Sequence, residues 1–277
     1  MIKEKDIIEF IKSQSKEVID IVRIRVHCFI IKNLLGEDRV NQNLKGIWSN
    51  SERLGIKWEN EILSFKSRHR IYDLSDCLYN LQSIQWFDSV IKSIRNNSLE
   101  DHFAELQIWK ILKLEWLESF KYMKPINGKS YDLEMSINGI TISAEIKCKI
   151  DSTEISWSTI RTSLEKAASQ IKDSPHQKAI FLKIPEKRYR ILKNQSEPRT
   201  HKKLESIRAV TSFLERNQFI DRIIFVTEEF NDEGKVNTDR VEYLNPYNES
   251  LDYIFTKKTR NRKFLDEIIT ASYTIET

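Results

Sequence analysis

The chain has 277 residues, of which 40% are hydrophobic and 31% charged, so it can bury one large core or two small ones. Its six glycines are scattered, which excludes a phosphate-binding glycine loop, a dinucleotide fingerprint and a nucleophile elbow. Cys28, Cys77 and Cys148 form no C-x-x-C pair, which argues against a disulfide framework and a structural zinc site. No leader-like start and no run of about 20 apolar residues occurs. We therefore expect a cytoplasmic protein without a membrane span.

The first 97 residues have a helical pattern. Apolar residues recur every three or four positions over 2–35, without Pro or Gly until Gly36, and predict one long helix. A polar stretch over 36–70 follows, and a second helix is predicted over 74–95. The long helix is apolar around more of its circumference than one packed face needs. We therefore expect a homodimer or a partner subunit on helix 2–35; burial against the rest of the chain is the alternative.

From residue 98 onwards the pattern is mixed. Ser98, with Asp101 three positions later, opens a helix predicted over 98–117. Alternating residues then predict two strands around Asn138 and Gly139, a pair typical of a two-residue hairpin turn. The later predicted elements are a helix over 158–172, a strand over 178–184, a helix over 200–217 and a strand over 220–227. The predicted order is typical of an α/β fold: a helix, a hairpin or three strands, a helix, a strand, a helix and a strand. We therefore place a domain boundary between residues 97 and 98.

The hairpin turn determines which residues face each other. With Asn138 and Gly139 as the loop, Asp132 falls opposite Glu145, and Lys147 lies two residues further on the same face. Like charges directly opposite each other are destabilising, so this pair must be solvated or neutralised, and a divalent cation would neutralise it. Carboxylate oxygens suit Mg²⁺, which keeps its other positions for water and phosphate. The alternative is an amphipathic hairpin with a solvated face, because Glu-x-Lys also occurs by chance.

The other face of the hairpin carries apolar side chains, among them Tyr131, Leu133 and Ala144, and is predicted to pack on a core. The continuous apolar run in the strand predicted over 178–184 indicates a sheet with helices on both sides. The polar face of the hairpin is then covered as well, which disfavours a merely solvated face.

The spacing of the charged residues resembles a known signature. Asp132, followed after twelve residues by Glu145-Ile146-Lys147, is similar to the PD-(D/E)xK motif of the restriction-endonuclease-like nucleases. Tyr131 stands where that motif has its proline. The resemblance covers residues 98–230 and implies an αβββαβ core, a mixed sheet flanked by helices. The fold expected is thus a helical N-terminal region, 1–97, followed by a nuclease domain of this kind, 98–277.

The resemblance implies a role for each residue of the motif. Asp132 and Glu145 would be metal ligands, and the Ile146 carbonyl would be a third. Lys147 would orient or activate the attacking water and stabilise charge on the phosphate.

Two residues on the neighbouring predicted helices extend this set. Glu105 resembles the glutamate that many members place on the first core helix, where it helps to hold a metal. Gln170 resembles a glutamine that some members carry on the helix after the lysine strand. For both residues, an exposed position on a helix is the alternative.

The resemblance implies a metal-dependent endonuclease that uses Mg²⁺ or Mn²⁺. One or two such ions supply a nucleophilic water, charge stabilisation and a stabilised leaving oxygen. DNA is favoured over RNA, because most of the family cuts DNA. No sequence-reading module is visible, which favours a nuclease steered by partner subunits or by structure, such as an effector of prokaryotic antiphage defence or a recombination and repair enzyme. A non-catalytic adaptor with a nuclease-like fold and an RNA-cutting toxin are the alternatives.

Basic residues fit a nucleic-acid partner. The net charge is +4, and Lys and Arg are concentrated over 178–208, which includes Tyr189, and over 257–263. Such clusters neutralise phosphates and make binding salt-dependent. A solvated charged face is the alternative.

Overall fold

The computed structural model describes residues 1–14, 17–36, 65–84, 86–96, 99–115, 119–123, 131–137, 139–148, 157–184, 201–230, 236–248, 251, 253 and 265–274. The chain divides into two compact units, residues 1–110 with 260–277, and residues 111–259. The division passes through a helix and assigns the C-terminal segment to the first unit. The boundary predicted from the sequence, between residues 97 and 98, lies 13 residues before this division.

The described residues form eight helices and six strands. The helices are α1 (Glu4–Lys12), α2 (Ile19–Leu35), α3 (Phe65–Leu81), α4 (Phe87–Asn96), α5 (Leu99–Glu115), α6 (Trp157–Ile171), α7 (His201–Arg216) and α8 (Leu265–Thr274). The strands are β1 (Ser119–Tyr122), β2 (Leu133–Ile137), β3 (Ile140–Cys148), β4 (Gln177–Lys183), β5 (Arg222–Phe230) and β6 (Val236–Leu244). No helix among these is long and apolar enough to cross a membrane.

The first 35 residues form two helices, so the prediction of one long helix over 2–35 is wrong. After α1, the Ser13 hydroxyl donates a hydrogen bond to the Phe10 carbonyl at 2.6 Å. Serine side chains that bind nearby carbonyls in this way compete with a continuing helix. The backbone is extended at Val18, directly before α2 begins. The two helices fold back on each other, and the rings of Phe10 and Phe29 stack with centroids 4.6 Å apart.

Much of the apolar surface of these two helices is buried within the first unit, where α8 packs against both of them. The buried side chains include Ile7, Ile11, Val22, Val26, Ile30 and Ile31. A dimer or partner interface through residues 2–35 was expected because a single helix would leave such side chains uncovered. The apolar pattern of residues 2–35 therefore no longer supports such an interface.

The helix predicted over 74–95 is also two helices, α3 and α4. Gln82 lies in the break between them, and its side chain binds the start of the chain. Its Oε1 accepts a hydrogen bond from the Ile2 amide at 2.6 Å, and its Nε2 donates one to the Ile2 carbonyl at 2.7 Å. Of the stretch predicted to be a polar connection, residues 65–70 belong to α3, and residues 37–64 lie outside the described residues.

The second unit is built on one mixed six-stranded sheet in the order β1-β2-β3-β4-β5-β6. β3, β4 and β5 are parallel, and the other neighbouring pairs are antiparallel. Helices α6 and α7 pack on one face around a core that includes Leu164, Phe213, Ile180, Leu182 and Phe225. The α/β class expected from the sequence is confirmed.

The register of the β2–β3 hairpin is the one predicted. The ladder runs from Ile137 opposite Ile140 to Leu133 opposite Ala144. Gly139 has a φ of +75°, the left-handed conformation that a tight two-residue turn requires and that glycine adopts without strain. Burial alternates along β2 as expected for a strand with one buried face.

Candidate active site

The polar side chains of β3 point to the face of the sheet that α6 and α7 cover. The parallel register places Glu145 beside Ile180 and Lys147 beside Leu182 of β4, and both of these neighbours belong to the core under α6 and α7. Side chains of paired residues lie on the same face of a sheet. Glu145 is accordingly fully buried, whereas 26% of the Lys147 side chain is exposed.

Glu145 and Lys147 form an ion pair within β3. The ammonium Nζ of Lys147 donates a hydrogen bond to Oε1 of Glu145, and Oε2 of Glu145 is buried as well. A buried carboxylate without a countercharge is strongly unfavourable. Lys147 is therefore a countercharge beside the buried Glu145 in this structure.

Asp132 lies in a bend directly before β2, and its carboxylate reaches the neighbouring strand. Its Oδ2 accepts a hydrogen bond from the backbone N–H of Ile146 at 2.8 Å. The direct ladder pairing of Asp132 with Glu145 that we predicted is wrong, since the ladder ends at Leu133 and Ala144. In a regular ladder a backbone carbonyl would accept this N–H, whereas here the aspartate side chain accepts it. Asp132 therefore does not follow the regular alternation of side chains between the two faces of the sheet. Asp132 thus contacts the residue between Glu145 and Lys147.

The bend at Asp132 also changes the face of Tyr131. We predicted Tyr131 on the apolar face with Leu133, but its ring packs against the core under α6 and α7. Its hydroxyl donates a hydrogen bond to Oε2 of Glu134 at 3.2 Å. Tyr131 therefore shares a face with Glu134 and Glu145.

Tyr131, Glu134 and His176 are further residues on the same face, and they were not predicted as part of the site. His176 Nε2 lies 3.7 Å from Oε2 of Glu134. Glu134 could have been noticed, because the hairpin register places it on the polar face, two residues after Asp132. His176 gives no signal in the sequence, because its approach depends on the path of the chain after α6.

Glu105 lies on α5 in the first unit. Its Oε2 is 3.3 Å from Nδ1 of His102, and the other ring nitrogen of His102 is 3.2 Å from the Ser93 hydroxyl. The carboxylate of Glu105 is half-buried and interacts with this histidine. Its role as a metal ligand stays a prediction.

Gln170 is exposed one residue before the end of α6. That end of the helix lies beside the first half of β3, where the hydroxyls of Ser174 and Ser143 are 2.6 Å apart. α6 returns from the carboxyl end of β3 to the amino end of β4, as a parallel crossover requires. The structure brings together Asp132 and the Glu145-Ile146-Lys147 segment, whereas the exposed Gln170 has no contact with them that supports its role, which stays a prediction.

Oxygen atoms at the end of the hairpin suit a hard cation. Asp132 and Glu145 offer carboxylates, and the Ile146 carbonyl points to the same edge of β3 as its N–H, towards Asp132, because both groups of a strand residue point to one side. Within the described ranges, no group of three His, Cys, Asp or Glu side chains could hold a metal. A metal at this site would take its remaining ligands from carbonyl oxygen, water and phosphate, as Mg²⁺ commonly does.

Most of the two basic stretches lies outside the described residues. Residues 185–200, with Tyr189, and residues 254–264 lie outside the described residues. Their role in binding phosphates stays a prediction. The capping of α5 by Ser98 and Asp101 also stays a prediction, because neither side chain is described.

The chain matches no protein-family model, no curated protein and no solved structure.

Proposed function

We propose that this protein is a divalent-metal-dependent nuclease of the restriction-endonuclease-like type. The hydrogen bond from the Ile146 amide to the Asp132 carboxylate carries the proposal. It joins one acidic residue to the strand segment that holds the second acidic residue, Glu145, and the lysine, Lys147. The order of α5, β1, β2, β3, α6 and β4 along the chain supports it, because αβββαβ is the order expected for this type of core.

Each residue has a chemical task in this proposal. Asp132, Glu145 and the Ile146 carbonyl would hold Mg²⁺ or Mn²⁺. Such an ion supplies a nucleophilic water near neutral pH and stabilises charge on the phosphate. The partly exposed ammonium of Lys147 would donate a hydrogen bond to the attacking water or to a phosphate oxygen, and the core under α6 and α7 would keep Glu145 in place.

DNA is the proposed substrate, in preference to RNA, because most nucleases of this type act on DNA. A role in antiphage defence is the proposed setting and rests on how widely such nucleases serve there. The mildly basic composition, with a net charge of +4, is compatible with both.

One observation favours a second function, a non-catalytic adaptor with a nuclease-like fold. Glu145 is fully buried and bound to Lys147, which is also the arrangement of a purely structural ion pair. Such an adaptor would be unaffected by removal of divalent metal.

A cleavage assay tests the proposal. We expect the purified chain to cut single- or double-stranded DNA in Mg²⁺ or Mn²⁺ and to lose activity in EDTA, with RNA as the parallel substrate. Lys147→Ala should lower the rate by about 100-fold or more, as expected when a group acting on the reacting water is removed. Asp132→Asn should also weaken metal binding.

The matched control is Lys92→Ala, which removes the same charge from an exposed position of α4. This variant should cleave like the unchanged protein. Cleavage of RNA alone would favour the toxin interpretation. Full activity of Lys147→Ala, or no cleavage of any substrate with either metal, contradicts the nuclease.

A further inference from the structure

Three polar side chains of the first unit form a hydrogen-bonded relay that the proposed nuclease does not use. Ser93 lies on α4, and His102 and Glu105 lie about one turn apart on α5. Nε2 of His102 is 3.2 Å from the Ser93 hydroxyl, and Nδ1 of His102 is 3.3 Å from Oε2 of Glu105. The imidazole therefore lies between a hydroxyl and a carboxylate, with one ring nitrogen facing each.

The chemistry of these groups determines which ring nitrogen of His102 carries the proton. An ionised carboxylate only accepts hydrogen bonds, so Nδ1 of the neutral imidazole donates to Glu105. Nε2 then has a lone pair, and the Ser93 hydroxyl donates to it. In this arrangement an imidazole can take the proton of a hydroxyl while the hydroxyl oxygen attacks an electrophile.

We propose that Ser93 is a nucleophile for activated carboxylic esters, with His102 as its general base and Glu105 as a positioning residue. The Ser93 oxygen forms a bond to the carbonyl carbon of the ester while Nε2 of His102 takes the hydroxyl proton. The ester C–O bond then breaks, and His102 gives this proton to the leaving oxygen. Water, deprotonated by His102 in the same way, releases the acyl group as a carboxylic acid and restores the serine.

The surroundings of the three side chains suit such a site. Each of them is half-buried, so it keeps contact with solvent while its helix is fixed by packing. Ile94 of α4 and Phe103 and Leu106 of α5 are buried directly beside them in the chain. Sites built on packed helices are held more precisely than sites on loops. The assignment also gives Glu105 a role other than the metal ligand predicted from the sequence.

A fluorophosphonate probe tests the nucleophile, because it transfers its phosphonyl group to an activated serine with loss of fluoride. We expect mass spectrometry of the labelled full-length chain to locate this group on Ser93, with or without EDTA. Ser93→Ala should not be labelled and should not hydrolyse para-nitrophenyl acetate. The matched control is Ser89→Ala, which removes an exposed serine of the same helix and should behave like the unchanged protein.

The general base is tested by His102→Ala. Loss of such a base should slow the labelling of Ser93 by about 100-fold or more. Added imidazole should restore part of the rate, which it would not do if His102 only joined the two helices. Circular dichroism checks that the variant is folded, and His102→Gln replaces it if it is not.

The positioning role of Glu105 is tested by the tautomer of His102. Nitrogen-15 NMR of the unchanged protein should show the proton on Nδ1. In Glu105→Gln the amide can also donate to Nδ1, so this tautomer should lose population and the labelling of Ser93 should become slower. An unchanged tautomer with an unchanged labelling rate contradicts the role of Glu105.

The remaining outcomes separate this inference from the proposed function. Absence of label on Ser93, ester hydrolysis that Ser93→Ala retains, or labelling that His102→Ala leaves at the same rate contradicts the nucleophile. A protein that cleaves DNA but is not labelled refutes this inference and leaves the nuclease unaffected. A protein that is labelled on Ser93 but cleaves no nucleic acid supports this inference and contradicts the nuclease.

Discussion

At the residue scale, the buried histidine His27 couples the stability of the first unit to pH. Its ring is 3% exposed, and its Nδ1 contacts the Ser75 hydroxyl. That hydroxyl itself donates to the Tyr72 carbonyl at 3.0 Å, so Nδ1 of His27 carries the proton and donates. Burial, and then the charge of Arg23, lower the pKa of His27 to about 3. His27 is therefore neutral in the folded protein.

We expect His27 to destabilise the protein in mild acid. An unfolded histidine has a pKa of about 6.5. Between that pH and about 3, the unfolded chain binds a proton that the folded chain does not, so the free energy of unfolding falls as the pH decreases through this window. Urea denaturation at pH 7 and at pH 5 measures this effect. Between these two pH values, the free energy of unfolding of the unchanged protein should fall by about 2 kcal/mol more than that of His27→Gln. Equal losses would show that His27 is not buried in its neutral form.

At the residue scale, the sequence predicts which side chains of the candidate site are neighbours but not how they bind. The Asn-Gly turn and the two-residue period bring Asp132 near Glu145 and Lys147. The period contains no information on whether Asp132 faces a side chain or binds a backbone amide. That choice depends on the local energies of alternative hydrogen bonds, and here the amide of Ile146 is the partner.

At the scale of elements, α3 and α5 are joined by a buried charged cluster. Lys110 of α5 is fully buried, and its Nζ lies 2.8 Å from Oδ1 of Asp73 and 3.4 Å from Oδ2 of Asp76. Gln107 donates a further hydrogen bond to Asp73. Charged groups in such a place tolerate loss of one partner poorly, because the remaining charge stays buried.

We expect Lys110→Met to lower the free energy of unfolding by about 3–5 kcal/mol, since it leaves two buried carboxylates without their cation. Adding Asp73→Asn should restore part of this loss, because one of the two charges is then removed. Urea denaturation of the single and double variants measures the difference, with Lys92→Met as the exposed control. A loss for Lys110→Met no larger than that of the control would mean that the cluster does not stabilise the contact between α3 and α5.

Elements with strong local signals were predicted well, and those decided by distant contacts were not. The β2–β3 register follows from four or five consecutive alternating residues and a turn that requires Gly139. The helix breaks at Ser13 and Gln82 have no Pro or Gly to mark them. Gln82 is fixed by Ile2, 80 residues away in the chain, which no local pattern can indicate.

At the scale of the whole molecule, the two ends of the chain belong to the same unit. Leu265, Ile268 and Ile269 of α8 are buried, and α8 packs against α1 and α2. The Tyr273 hydroxyl donates a hydrogen bond to the Glu17 carbonyl at 3.1 Å. From the sequence, this segment was predicted to belong to the domain that begins at residue 98. An amphipathic helix reveals that it has an apolar face but not which core covers that face.

This packing predicts that α8 stabilises the N-terminal helices. Ile269→Ala should lower the free energy of unfolding by about 2–5 kcal/mol, the usual cost of a cavity left by a fully buried isoleucine. Because α8 covers α1 and α2, hydrogen exchange of the amides in both helices should become faster in this variant. Glu267→Ala changes an exposed residue of the same helix and should leave both measurements unchanged. If exchange in α1 and α2 were the same in the two variants, α8 would not contribute to the core of the first unit.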